Sequence, residues 1–156
     1  MKVAATKYFF PPESIERVLK QFRDVLESGA YLTMGKYCEE FERKFAEYVG
    51  VKYALSMNNG TSALEAIFRA IGVEGAEVVV PTNTFAATAF AVIYAGGRPV
   101  FADIGPDLTV DPADVKKRIT DKTKAVVTVH IGGLVSPNTE ELMEICEEKG
   151  IYLVED

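Results

Sequence analysis

The 156-residue sequence has no tryptophan, a single histidine and two cysteines. One histidine is too few for a usual zinc site, and neither Cys38 nor Cys146 belongs to a C-x-x-C pair, so no metal is expected. The two cysteines fall on separate helical patterns and read as reduced thiols of a cytoplasmic protein. Long hydrophobic runs are missing as well: none approaches the roughly 20 residues that a membrane-spanning helix needs. The opening residues Met1–Lys7 are too short and too soon interrupted for a signal peptide. Basic charge is in deficit, with 17 Lys and Arg against 23 Asp and Glu, a net charge of −6. General nucleic-acid binding needs a basic face, and this chain offers none. Lys116-Lys117-Arg118 lies within a helical pattern and reads as a solvated face. Neither a nucleic acid nor a membrane is therefore an expected partner.

Apolar residues make up 48% of the chain, enough for a real core and too many for a disordered one. The stretch that organises the rest is Ser56-Met57-Asn58-Asn59-Gly60-Thr61-Ser62-Ala63-Leu64. An apolar run, Val51–Met57, predicts a strand leading into it. Leu64, Ile67, Phe68 and Ile71, at spacings of three and four, predict a helix leading out and ending at Gly72. The first turn of a helix has unpaired N–H groups and the positive end of the helix dipole. With Gly60 allowing close approach and the Thr61 and Ser62 hydroxyls adding donors, the turn suits a phosphate. It suits equally an ordinary strand-to-helix turn with Asn or Thr as N-cap.

Before that turn, Pro11-Pro12 opens a helix whose apolar stripe is Ile15, Val18, Leu19, Phe22, Val25 and Leu26, with Gly29 placed to end it. A second helix runs from about Lys36 to Val49. After the turn the chain alternates. Strands are predicted at Glu77–Val80, Arg98–Ile104, Thr123–His130 and from Ile151. Helices are predicted at Phe85–Ala95, from Asp111-Pro112 to Ile119, and from a cap at Asn138 to Lys149. This alternation predicts an α/β fold, a three-layer α/β/α arrangement around a mainly parallel sheet. The chain reads as a single incomplete domain over 1–156, with N-terminal helices over 1–50 and an α/β part over 51–156. It closes on a strand at Glu155-Asp156, which suggests a truncated domain whose open sheet edge promotes association.

Taken in order, several motifs resemble the DegT/DnrJ/StrS family of pyridoxal-phosphate-dependent sugar aminotransferases. They are Gly35 with Glu40-Phe41-Glu42, Asn59-Gly60-Thr61-Ser62-Ala63-Leu64, Pro81-Thr82-Asn83-Thr84-Phe85-Ala86-Ala87-Thr88, Tyr94-Ala95-Gly96, Pro99-Val100-Phe101-Ala102-Asp103-Ile104, Val129-His130 and Val154-Glu155-Asp156. The resemblance covers about Ser28 to Asp156, the first part of that family's large domain, of fold type I. It implies pyridoxal 5'-phosphate as cofactor, an amino-acid donor (glutamate), a nucleotide-linked keto-sugar acceptor, a role in saccharide biosynthesis, and a homodimer or higher homo-oligomer. Two departures bear on substrate rather than cofactor: His130-Ile131-Gly132-Gly133 stands where the family often has His-Leu-Tyr-Gly, and Phe90 where it often has Asn.

The same resemblance implies residue roles. Thr61 and Ser62, with Gly60, would contact the cofactor phosphate. Phe85, otherwise a candidate core residue, would stack on the ring. Asp156 would hold the proton on the pyridine nitrogen; as an isolated chain end it would be a fraying, solvated charge. His130 at a strand end reads as a hydrogen-bonded structural residue rather than an acid or base. The family places its Schiff-base lysine beyond the aspartate, and none of the lysines from Lys2 to Lys149 matches it. Within this chain no catalytic residue is therefore assigned, the family's small C-terminal domain is absent, and no transamination is expected of the polypeptide alone. A sugar dehydratase of the same fold and a non-catalytic phosphate-binding fragment are the alternatives.

Overall fold

The computed structural model describes residues 7–156, and the chain divides between Ser56 and Met57 into two units. In the first, helix α1 (Pro12–Glu27) starts on Pro11-Pro12, where a missing N–H costs nothing. Its apolar stripe forms as predicted, yet none of its residues is buried. Helix α2 (Lys36–Val49) stops at Gly50, whose φ of 79° is the left-handed conformation that glycine adopts without penalty.

The predicted strand Val51–Met57 does not form. A strand exists only through its ladder, and among the described residues this segment pairs with no other; Tyr53 and Leu55 stand exposed. Its far end is fixed differently. The Glu42 carboxylate on α2 accepts from the Ser56 N–H at 2.8 Å and from its hydroxyl at 2.7 Å. Those two bonds hold the Glu42 carboxyl below the usual carboxylate range.

The second unit begins with helix α3 (Gly60–Ile71), followed by strand β1 (Glu77–Pro81), helix α4 (Ala86–Tyr94) and strand β2 (Arg98–Ala102). Helix α5 (Pro112–Arg118), strand β3 (Thr123–Thr128), helix α6 (Thr139–Lys149) and strand β4 (Tyr152–Glu155) complete it. The four strands pair in parallel, in the order β2-β1-β3-β4. Because side chains alternate across a strand, the valines divide between two faces. Val78, Val80, Val127 and Val154 pack with Leu64, Phe68 and Val92 of α3 and α4. Val79 and Val126 pack with Val115, Leu142 and Ile145 of α5 and α6. The unit is thus the three-layer α/β/α arrangement expected from the sequence. Among the described residues no helix is long and apolar enough to cross a membrane.

One predicted cap takes another role. Asn138 stands at the N-cap of α6 but its side chain caps nothing. Its amide instead donates to Asp107 Oδ2, Thr109 Oγ1 and the Val110 carbonyl at 3.3–3.4 Å, tying down the loop after β2.

Two carboxylates fasten the layers. Asp114 on α5 accepts from the Asp103 N–H at 2.9 Å and from Arg118 at 3.0 Å. Glu77, at the start of β1, accepts from Thr120 at 2.8 Å and from Arg98. These donors hold both groups below their ordinary values of 3.8 and 4.5. Stability from a lowered carboxyl is present above its unfolded value and disappears as pH falls through the folded one. The urea midpoint should therefore be level from neutrality down to about pH 5 and fall below that. Asp114→Asn should lower the neutral midpoint and flatten the acid limb. A midpoint that rises on acidification would contradict this arrangement.

Candidate functional site

The strand order reverses direction between β1 and β3. The chain steps from β1 outward to β2, returns across β1 to β3, and continues to β4. Loops leaving neighbouring strands there part to opposite faces, and the crevice beyond the carboxyl ends is where open α/β sheets bind ligands. Helix α3 shares that edge. It ends at Ile71, shortly before β1 begins, and Arg69 near its C-terminus bonds the carbonyl of Tyr94 at the end of α4. So α3 and α4 run alongside each other on one face, and both start at the carboxyl edge of the sheet.

At the start of α3, Asn59 is the N-cap, and its Oδ1 accepts the Ser62 N–H at 2.9 Å. The Ala63 N–H bonds the Asn59 carbonyl at 3.2 Å. Among the described residues this leaves the N–H groups of Gly60 and Thr61 pointing outward at the positive end of the helix dipole. A Cβ placed on Gly60 would meet nothing within 4 Å, so the space beside the Gly60 backbone is open. The two readings of the turn are compatible: the Asn cap uses one N–H and leaves two for an anion.

Phe85 is the residue before the first turn of α4, and 81% of its surface is exposed. It is not a core phenylalanine, and it stands at the edge where α3 also begins. One turn on, Thr88 is buried, and its hydroxyl donates to Asp156 Oδ2 at 2.5 Å. Thr84 Oγ1 lies 2.8 Å from Thr88 Oγ1. The Asp156 N–H bonds the Thr128 carbonyl at 2.9 Å, and its carbonyl accepts from the His130 N–H at 3.0 Å. Asp156 therefore continues the β3–β4 ladder instead of fraying. It lies two residues beyond Val154, which faces the α3 and α4 layer, and so shares that face.

His130 is held by its side chain as well. Its Nδ1 accepts from the Ser136 N–H at 3.1 Å, so in the neutral ring Nε2 carries the proton and donates to Glu155 Oε2 at 2.8 Å. Both ring nitrogens are engaged in fastening β3 to β4 and to the approach to α6. No lysine of the second unit lies at the carboxyl edge. Lys122, Lys124 and Lys149 belong to the opposite edge, while Lys116 and Lys117 sit on α5, facing Glu141 and Asp114.

Thr84 and Thr88 are the site residues that residue-by-residue reading passed over. Thr84 lies just before the Phe85 cap and Thr88 in the first turn of α4, and a lone threonine on the inward side of an apolar helix demands a partner.

The sequence profile of the DegT/DnrJ/EryC1/StrS aminotransferase family matches residues 12–156. The chain belongs to this family. Over 139 residues it is 43% identical to a GDP-perosamine synthase of Vibrio cholerae, covering 88% of this chain and 38% of that protein. Its fold matches S. venezuelae DesV with a TM-score of 0.86 at 35% identity, over 92% of this chain and 38% of the other. It matches the Bacillus subtilis protein ntda, solved with bound cofactor PMP, with a TM-score of 0.86 at 30% identity, over 99% and 37%. The chain thus spans about 38% of the length of the curated relative. Pyridoxal 5'-phosphate is the cofactor of homologous aminotransferases of this family.

Proposed function

We propose that this chain forms one wall of the pyridoxal-phosphate site of a sugar aminotransferase that moves an amino group from glutamate to a nucleotide-linked keto-sugar. The observation that carries this is the grouping, on one face of one sheet edge, of an open helix start, an exposed aromatic and a tethered carboxylate. Each answers one demand of the cofactor. The Gly60 and Thr61 N–H groups, with the Thr61 and Ser62 hydroxyls, would receive the phosphate. The exposed Phe85 ring would cover one flat face of the pyridine. The Asp156 carboxylate would hold a proton on the ring nitrogen. When bound, the cofactor supplies an electron sink for negative charge at the substrate carbon, and the protonated nitrogen deepens that sink.

The sugar acceptor is supported by the names of the relatives, of which GDP-perosamine synthase is one. In the same reading the Schiff-base lysine lies outside residues 57–156, whose lysines stand away from the edge, and the working protein is a homo-oligomer. The exposed stripe of α1 and the half-exposed Phe101 and Tyr152 on the outer strands support association.

Equilibrium dialysis of the 156-residue chain against pyridoxal 5'-phosphate and against pyridoxal tests the site. The phosphate should tighten binding by about tenfold or more, and borohydride should trap no single lysine of residues 57–156. Equal affinity for the two compounds would remove the phosphate cradle from the reading.

A further inference from the structure

Asp156 is tethered twice, and the two tethers do different things. Its backbone bonds to Thr128 and His130 fix where the residue lies. They leave open which way its carboxylate faces. Facing is set by the 2.5 Å bond from Thr88 Oγ1 to Oδ2.

The direction of the next bond follows from proton counting. A carboxylate oxygen accepts, so the one hydroxyl proton of Thr88 is spent on Asp156. In the 2.8 Å contact between Thr84 Oγ1 and Thr88 Oγ1, Thr84 is then the donor and Thr88 the acceptor. The result is a directed chain, Thr84 to Thr88 to Asp156, in which the first bond polarises the second. Thr88 is 1% exposed, so water does not compete for its hydroxyl. Its neighbours along the inner face of α4, Ala91 and Val92, are core residues. Packing alone would be met by valine, which has the same shape and no polar group to desolvate.

We propose that Thr88, with Thr84 behind it, is a positioning residue that turns the free oxygen of Asp156 toward the pyridine nitrogen of the cofactor. The inference rests on the cofactor-site reading above. It also makes α4 a common mount for two functions: Phe85 at its start for the ring face and Thr88 one turn on for the ring nitrogen.

The test compares two ligands by equilibrium dialysis: pyridoxal 5'-phosphate and its 1-deaza analogue, in which C–H replaces the ring nitrogen. Wild type should prefer the natural cofactor. Thr88→Val should weaken the natural cofactor about tenfold and leave the analogue unchanged. Thr88→Ser, which keeps the hydroxyl, should stay close to wild type, and circular dichroism should show all three chains folded. Unchanged affinity for the natural cofactor in Thr88→Val would overturn the proposal. So would equal losses for both ligands, since these would assign Thr88 to packing, and so would a wild type indifferent to the ring nitrogen. A wild-type chain that binds neither ligand would overturn the cofactor site itself and this inference with it.

Discussion

Thr61→Asp should abolish measurable pyridoxal 5'-phosphate binding while leaving the second unit at least as stable as wild type. The two effects have opposite signs because they come from one cause. Thr61 is the second residue of α3, where the helix dipole is positive and the Asn59 cap leaves its N–H outward. A carboxylate there interacts favourably with the dipole, by about 0.3–1 kcal/mol at an exposed site. The charge that suits the helix repels the phosphate. At about 4 Å and an effective dielectric near 20, one pair of like charges costs about 4 kcal/mol, close to a thousandfold in affinity. The cap itself is untouched, since Asn59 bonds the Ser62 N–H and not that of Thr61. Dialysis and thermal unfolding of the same preparation read the two effects separately. Retained binding at normal stability would show that the phosphate does not sit at the start of α3.

The features legible in the sequence are those decided within a few residues. Gly50, Gly72 and Gly150 end α2, α3 and α6 with φ of 79°, 74° and 66°, and a residue with no Cβ announces such a stop by itself. Asp111-Pro112 announces α5, and the Asp111 side chain does cap it, accepting from Ala113 N–H at 2.9 Å. The alternation of valine-rich runs with helical stripes was enough for a parallel three-layer sheet, because only helix-bearing crossovers join parallel strands at that spacing.

What stayed hidden depends on distant partners. Val51–Met57 has the composition of a strand but, among the described residues, no ladder to join. The α1 stripe predicts an amphipathic helix correctly, yet periodicity cannot say what, if anything, covers it. Asn138 occupies a capping position and spends its amide on a loop some thirty residues away in the chain. The site shows the same division. Gly60-Thr61-Ser62 can be read from local helix-start chemistry. Whether Phe85 is core or surface, and whether Asp156 is solvated or held, is decided by the surface left around the first and by Thr88, 68 residues before the second.

The stability of that edge depends most on Phe68, and Phe68→Ala should be the most damaging of these substitutions. Phe68 is fully buried on α3, one turn from Leu64, against Val78 and Val80 of β1 and Val92 of α4. Truncating a buried phenylalanine removes its transfer energy and leaves a cavity, together about 3–5 kcal/mol. A domain of this size has only about 5–15 kcal/mol in total, so the urea midpoint should fall by about a fifth or more. Phe22→Ala on α1 is the informative comparison. Both phenylalanines lie on apolar helical stripes, but Phe22 is 62% exposed, and its loss should stay within about 0.5 kcal/mol. The consequence reaches function, because Phe68 holds against the sheet the helix whose first turn faces the crevice. If Phe68→Ala costs less than about 1 kcal/mol, far below the range for a packed aromatic, α3 is not docked on β1 and α4. Gly60, Thr61 and Ser62 would then not share an edge with Phe85 and Asp156.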